Sequence, residues 1–164
     1  KYSSGEFFLP NLIVAASGMK QAMALLEPEL RARRQQLKSS GVVVIGTVRG
    51  DIHEIGKSLV ATMLSANGFE VHDLGVDVPA DRFVETVRQS GASLVGLSAL
   101  LTTTMGGQKT VIEALTQAGL RGRVRVMVGG APVTDRWAAE IGADGYAQDA
   151  VGAVSLATKL VTAS

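Results

Sequence analysis

The stretch Gly50-Asp51-Ile52-His53-Glu54-Ile55-Gly56 decides the fold prediction, because an apolar run precedes it and a helical pattern follows it. Residues 42–48 are mostly β-branched and apolar, as in a buried strand. Apolar side chains at positions 59, 60, 63 and 64 then recur at the spacing of one helix face. Asp51 and His53 therefore lie in the turn at the carboxyl end of a strand, where open α/β sheets bind ligands.

From this stretch onward the chain alternates between strand-like and helix-like segments. The patterns predict strands at residues 42–48, 70–74, 94–97, 124–128 and 145–147, and helices at 56–66, 80–89, 107–118, 135–141 and 150–161. Such alternation is typical of a parallel sheet covered by helices on both faces. The fold class is therefore α/β, and five strands predict a flavodoxin-like (Rossmann-like) sheet with strand order 2-1-3-4-5.

The first forty residues have a different pattern, with apolar residues such as Leu12, Met19 and Leu26 on one face of a helix. Pro28 is predicted to end or kink this helix near Leu26. One helix with a single apolar face is not stable alone, so we expect it to pack on neighbouring structure. We predict a partial helical domain at residues 1–38 and an α/β domain at 41–164. Because the chain does not begin with methionine, we expect it to be part of a longer protein.

Composition excludes several classes of function. The net charge is +1 and no basic stripe is present, so nucleic acid is not an implied partner. Cysteine is absent, which excludes disulfides, thiolate-bound zinc, iron–sulfur clusters and thiol catalysis, and fits a cytoplasmic protein. No apolar run approaches the ~18 residues needed to span a membrane, so we expect a soluble protein with no membrane partner.

Three loops are predicted to meet at the carboxyl edge of strands 1, 3 and 4, namely residues 50–56, 98–107 and 129–132. They offer the imidazole of His53, the carboxylate of Asp51, a row of hydroxyls and the pair Gly129-Gly130, but no lysine or arginine. The phosphate-binding patterns GxGxxG and GxxxxGK[ST] are both absent. A highly charged phosphate chain is therefore a poor ligand, whereas an apolar or aromatic ligand could lie against the glycine backbone.

The spacing of these motifs resembles a known fingerprint. Asp51-x-His53-x-x-Gly56 is followed after 41 residues by Ser98-x-Leu100, and after a further 28 residues by Gly129-Gly130. This pattern resembles the cobalamin-binding module of methionine synthase and of the corrinoid proteins in methanol, methylamine and O-demethylase methyltransferase systems. Residues 98–105 are more similar to the stand-alone corrinoid carriers. Near the amino terminus, Tyr2 and Leu9 resemble the helical cap domain that precedes the module in those proteins.

The resemblance implies a cobalamin cofactor whose dimethylbenzimidazole is displaced from cobalt by a protein histidine. His53 would be the cobalt ligand, and Asp51 would accept a hydrogen bond from the other ring nitrogen. In methionine synthase a serine hydroxyl continues this chain of hydrogen bonds, and Thr104 stands at the matching position. The three residues His53, Asp51 and Thr104 are therefore the expected catalytic set.

The resemblance also implies which residues contact the cofactor. The displaced nucleotide tail would occupy a slot lined by Ser98, Leu100, Gly129 and Gly130. Tyr2 and Leu9 would cover the upper face of the corrin. Further contacts are expected from the remaining residues of the three motifs and their loops: Ile52, Glu54, Ile55, Gly56, Thr102 and Ala131.

The implied function is that of a methyl-carrying corrinoid protein that shuttles between methyltransferase partners and is incomplete as an enzyme alone. A cobalamin-dependent photoreceptor or transcription regulator is one alternative, and the cobalamin-binding region of methionine synthase is another. A mutase module shares Asp-x-His-x-x-Gly but lacks the cap. A sensor that binds another tetrapyrrole also fits the fold.

Single residues in these motifs have simpler structural interpretations. Asp51 could serve as a helix N-cap, and Gly129-Gly130 could form an ordinary turn. His72, on the second predicted strand, is expected to be structural or at the surface. Glu54 and Lys57 are expected to be solvated residues at the start of a helix.

Overall fold

The computed structural model describes residues 40–162 continuously, together with nine positions between 14 and 29. Those nine positions are all helical and exposed: Val14, Gly18, Gln21, Ala22, Ala24, Leu25, Leu26, Pro28 and Glu29. Pro28 and Glu29 are themselves helical, and the predicted end or kink of the helix near Leu26 stays a prediction. Tyr2 and Leu9, the predicted cap residues, lie outside the described residues.

The described domain is a five-stranded parallel sheet with helices on both faces. Its elements are β1 (Gly41–Thr47), α1 (Ile55–Ala66), β2 (Phe69–Asp73), α2 (Ala80–Ser90), β3 (Leu94–Ser98), α3 (Gly106–Gln117), β4 (Arg125–Gly129), α4 (Asp135–Glu140), β5 (Gly145–Tyr146) and α5 (Ala150–Thr162). The strand order is β2-β1-β3-β4-β5. The predicted flavodoxin-like order is therefore confirmed, and each predicted boundary is within one residue of the observed one.

Two apolar clusters hold the sheet between its helices. The larger one lies under α2, α3 and α4 and includes Phe83, Val111 and Val126. Gly46 is required here, because a Cβ at this position would lie 2.7 Å from Cζ of Phe83. The smaller cluster lies under α1 and α5 and is centred on Leu64 and Met127. Burying a side chain of this size contributes roughly 1.5–3 kcal/mol, so these clusters fix the positions of the helices.

The strand register brings small residues together at the carboxyl edge of the sheet. Thr47 pairs with Ser98, and Ser98 pairs with Gly129, across the three central strands. The loops that follow β1, β3 and β4 therefore begin side by side, as the sequence predicted. The candidate site lies at this edge.

Lys57 is a correction to the sequence interpretation. Its side chain is only 1% exposed, and its ammonium group forms a 2.6 Å hydrogen bond to Oδ1 of Asp73 at the end of β2. The sequence could not show this contact, because the partner lies on the next strand rather than on the same helix.

Within the described part of the chain, no helix is both long enough and apolar enough to cross a membrane.

Candidate cofactor-binding site

The carboxylate of Asp51 is the buried centre of the site and accepts four hydrogen bonds. Oδ1 accepts from the backbone N–H of His53 at 3.0 Å and is 2.6 Å from Nδ1 of its ring. Oδ2 accepts from the backbone N–H of Leu100 and from the hydroxyl of Thr104, each at 2.7 Å. The side chain of Asp51 is fully buried. One carboxylate therefore joins the loop after β1 to the loop after β3.

The surroundings of Asp51 determine its charge. Burial by itself raises the pKa of this carboxyl group, because it disfavours the charged form. The hydroxyl of Thr104, the backbone N–H groups of His53 and Leu100, and the ring of His53 outweigh burial and hold the pKa of Asp51 well below its usual range. Asp51 is therefore an ionised acceptor at neutral pH.

His53 is held at one ring nitrogen and open at the other. An ionised carboxylate only accepts hydrogen bonds, so Nδ1 carries the proton and Nε2 of the neutral ring carries the lone pair. The side chain is 44% exposed, and no described residue forms a hydrogen bond to Nε2. The hydroxyl of Thr47 also donates to the carbonyl of His53 at 2.9 Å, which fixes the backbone. The arrangement suits a ring that presents Nε2 to a metal.

Thr104 stands where a hydroxyl is expected. Its Oγ1 lies 2.7 Å from Oδ2 of Asp51 and 2.9 Å from the carbonyl of Leu101, and it is buried. The structure therefore contains the predicted chain of hydrogen bonds from Thr104 through Asp51 to His53. The interpretation of Asp51 as a helix N-cap is wrong, because the N-cap of α1 is Glu54. The carboxylate of Asp51 accepts instead from His53, Leu100 and Thr104.

Large apolar side chains are exposed around His53. Ile52 is 75% exposed, Leu100 40% and Leu101 44%. Ile55, in the first turn of α1, is 39% exposed. Exposed apolar side chains concentrated at one edge are typical of a binding surface. The remaining predicted contact residues are also exposed: Glu54, Thr102 and Ala131 in the loops, and Gly56 in the first turn of α1.

Gly130 is required by the fold as well as by the motif. Its φ is +131°, and a Cβ at this position would lie 1.8 Å from the carbonyl oxygen of Ala99. A Cβ on Gly129 would lie 3.2 Å from the carbonyl of Ala147. The loop after β4 therefore approaches its neighbours so closely that only glycine fits at Gly130. Gly130 also begins a turn, because its carbonyl accepts from the backbone N–H of Val133 at 3.0 Å.

Gln108 is a residue that the sequence analysis missed. It is fully buried, and its Nε2 donates to the carbonyls of Leu97 at 3.0 Å and Gly129 at 3.1 Å. Its Oε1 accepts from Nε1 of Trp137 at 2.9 Å. Gln108 thus ties the ends of β3 and β4 to α4. A glutamine in the first turn of a helix is usually solvated. Only its position directly after the loop 98–107 could have indicated a role at the site.

Within residues 40–162 and the nine described helical positions before them, His53 is not part of a cluster of metal-binding side chains. Among the described residues, no three histidine, cysteine, aspartate or glutamate side chains are placed to hold a metal ion together.

The family of the chain follows from a match to a known domain. Residues 41–155 match the family model of the B12 binding domain. The chain belongs to this family of B12-binding domains. The predicted corrinoid cofactor is therefore confirmed, whereas the roles assigned to individual residues remain predictions.

Similar proteins narrow the class further. The chain is 52% identical over 160 residues to dimethylamine corrinoid protein 2 of Methanosarcina acetivorans, covering 98% of this chain and 74% of that protein. The structure of the Methanosarcina barkeri monomethylamine corrinoid protein superposes with a TM-score of 0.84 at 42% identity, covering 96% of this chain and 74% of that one. A methanol:cobalamin methyltransferase complex from the same organism matches with a TM-score of 0.72 at 31% identity, covering 99% of this chain and 61% of that one. These matches favour a corrinoid protein over a regulator or a methionine synthase region.

Proposed function

We propose that this protein carries a methyl group on a corrinoid between methyltransferase partners, with His53 as the protein ligand to cobalt. The 2.6 Å contact between Asp51 Oδ1 and His53 Nδ1 carries the proposal, because it leaves Nε2 open at the strand ends. The similarity to corrinoid proteins of the methylamines supports the same function. Bound cobalamin would supply the methyl-transfer chemistry at its cobalt.

The protein residues would orient and tune this ligand. His53 would present Nε2 to the lower face of the corrin, in place of the cofactor's own dimethylbenzimidazole. Asp51 would fix the ring tautomer and raise its basicity by accepting the Nδ1 proton. Thr104 would keep the carboxylate from turning by donating to its second oxygen.

The exposed apolar residues would support the ring of the cofactor. Ile52 precedes His53, Leu100 and Leu101 lie in the loop that bonds to Asp51, and all three side chains are exposed. Covering them with a corrin would remove apolar surface from water, which stabilises binding by about 25 cal/mol for each Å². Backbone N–H groups and the hydroxyl of Thr102 in the same loops could bind the polar substituents at its rim.

The row of small residues would accommodate the displaced nucleotide tail. Thr47, Ser98 and Gly129 lie side by side at the end of the sheet and are followed by Gly130. Strand alternation directs Ser98 and Gly129 to the same face as Leu94 and Met127, which is the face covered by α1 and α5. Small side chains at this end of that face would make room for a tail between the sheet and these helices.

Methylamines are the proposed source of the methyl group, because the similar proteins are corrinoid proteins of dimethylamine and monomethylamine. The proposed partners are a methyltransferase that loads the corrinoid and another that unloads it. The match to a methanol:cobalamin methyltransferase complex supports docking to such a partner. We place this exchange in the cytoplasm.

Methyl loading tests the proposal. The purified protein is reconstituted with hydroxocobalamin, reduced, and incubated with labelled mono-, di- or trimethylamine and the cognate methyltransferase. We expect label on the wild-type protein with at least one amine, and much slower labelling of His53→Ala at equal cofactor content. If the cofactor-loaded wild type takes up no label from any of the three amines, the result would contradict the proposed function.

A further inference from the structure

Asp77, in the loop between β2 and α2, has an unusual backbone conformation. Its φ is +54°, and it is the one non-glycine residue with positive φ in the described part of the chain. Aspartate tolerates this left-handed region better than most residues, but the conformation is still unfavourable. Because Asp77 is exposed, burial does not explain its presence here. The hydrogen bonds of Asp77 explain why an aspartate occupies this position.

Asp77 bonds to the start of the loop that carries His53. Its Oδ1 accepts from the backbone N–H of Gly50 at 2.7 Å. Its own backbone N–H donates to the carbonyl of Asp51 at 2.9 Å. Both bonds depend on the left-handed turn, which directs the side chain and the N–H of Asp77 toward the same short segment. Gly50 has a positive φ of 83°, so this segment is itself a tight turn.

These bonds complete the restraints on Asp51. The loop after β3 holds its side chain through Leu100 and Thr104. The end of β1 holds its N–H, which donates to Val48 at 3.1 Å. Asp77 holds its carbonyl. A shift of the Gly50–Asp51 segment would therefore move the carboxylate that orients the ring of His53.

We propose that Asp77 is a positioning residue that sets the angle of His53 toward cobalt from the β2 side of the site. It does not contact the imidazole or the open nitrogen, and it acts only through Gly50 and Asp51. This inference rests on the proposed function, because it requires His53 to be the cobalt ligand. A purely structural role in closing the turn would change the stability of the fold but not the strength of the axial bond.

Competition for the lower face of cobalt separates these two roles. Protein loaded with cyanocobalamin is titrated with potassium cyanide. The added cyanide binds as the second cyanide on cobalt, displaces the lower ligand and changes the visible spectrum. Asp77→Gly removes the acceptor but adopts positive φ readily. Asp77→Asn keeps an accepting oxygen and tolerates the same φ. Asp81→Ala removes a nearby exposed carboxylate in the first turn of α2 and is the matched control.

We expect the cyanide midpoint to fall about fivefold in Asp77→Gly, the effect of one typical hydrogen bond. Asp77→Asn and Asp81→Ala should keep the wild-type midpoint. Urea unfolding of the cofactor-free variants measures the stability of the turn separately. An unchanged midpoint in Asp77→Gly would overturn the positioning role. A wild-type midpoint equal to that of His53→Ala would instead contradict the proposed function, and the positioning role with it.

Discussion

The hydroxyl of Thr104 lies 2.7 Å from Oδ2 of Asp51, although 53 residues separate the two. The contact joins the loops after β1 and β3, which become neighbours only when the sheet forms. Through it, the loop 98–107 helps to fix the ring of His53.

Replacing Thr104 tests the buried hydrogen bond. Thr104→Val keeps the shape but removes the donor to an ionised carboxylate, so the protein should lose about 1.5–3 kcal/mol of unfolding free energy. Thr104→Ser keeps the hydroxyl and should lose less. Thr158→Val, which loses an exposed hydroxyl on α5, is the control and should change stability by less than about 0.5 kcal/mol. Urea unfolding measures all three, and a Thr104→Val protein as stable as the wild type would show that the bond contributes nothing.

The lowered pKa of Asp51 predicts how stability depends on pH. The unfolded chain takes up a proton near the ordinary value of about 3.9, whereas folded Asp51 stays ionised to lower pH. The contribution of Asp51 to the free energy of unfolding is therefore fully present above about pH 5. It declines as the pH falls below about 4 toward the pKa of the folded state. Asp51→Asn should be less stable than the wild type at neutral pH. Its amide NH₂ group only donates, yet it would face N–H and O–H groups that now donate to the carboxylate.

Unfolding in urea across this pH range gives the difference between the two proteins. We expect the advantage of the wild type to shrink as the solution is acidified. A difference that stays constant from neutral pH to about pH 3 would mean that Asp51 does not titrate as its hydrogen bonds imply.

Substitution of Gly56 distinguishes an effect on cofactor binding from an effect on folding. It is the second residue of α1, it is exposed, and a Cβ there would meet no atom within 4 Å. Gly56→Ala should leave the cofactor-free protein as stable or up to about 1 kcal/mol more stable, because alanine favours helix. The added methyl group should nevertheless weaken cobalamin binding if Gly56 contacts the cofactor.

Spectroscopic titration with hydroxocobalamin measures the affinity of Gly56→Ala. Gly122→Ala adds a methyl group in open space before β4, at the other end of the sheet, and should bind cobalamin like the wild type. Equal affinity in both variants would remove Gly56 from the contact set.

The ion pair of Lys57 and Asp73 should respond unequally to loss of either partner. Lys57 is 1% exposed, whereas Asp73 is 34% exposed. Asp73→Ala leaves a buried ammonium without its partner, which costs about 3–5 kcal/mol. Lys57→Met leaves only a partly solvated carboxylate, so the cost should be clearly smaller. Equal losses in urea unfolding would show that the ammonium group finds water in the folded protein.

Much of the fold could be predicted because local pattern determines it. The apolar run of β1 and the helical spacing of α1 bracket Asp51 and His53, and the alternation of elements led to the strand order that is observed. The ends of elements lie at glycines such as Gly91, which has φ +65° after α2. These features depend on neighbours in sequence, so they can be read from the chain alone.

The missed features depend on contacts between distant segments. Lys57 is buried because Asp73 stands at the end of the adjacent strand. Gln108 is buried because two strand-end carbonyls and Trp137 satisfy its amide. Asp77 has a positive φ because Gly50 and Asp51 bond to it. No periodicity marks such residues, and Thr104 itself was singled out only through the resemblance to a family.

The central claim is that an imidazole nitrogen of His53 binds cobalt. The most direct test is electron paramagnetic resonance of the protein produced with histidine labelled with the heavy nitrogen isotope and loaded with cob(II)alamin. The labelled nucleus has half-integer spin and splits each cobalt line into a doublet, whereas unlabelled nitrogen gives a triplet. The account predicts a doublet that is kept in His72→Ala and lost in His53→Ala. A triplet in the labelled wild type, which would come from the cofactor's own base, or the absence of nitrogen splitting, would contradict it.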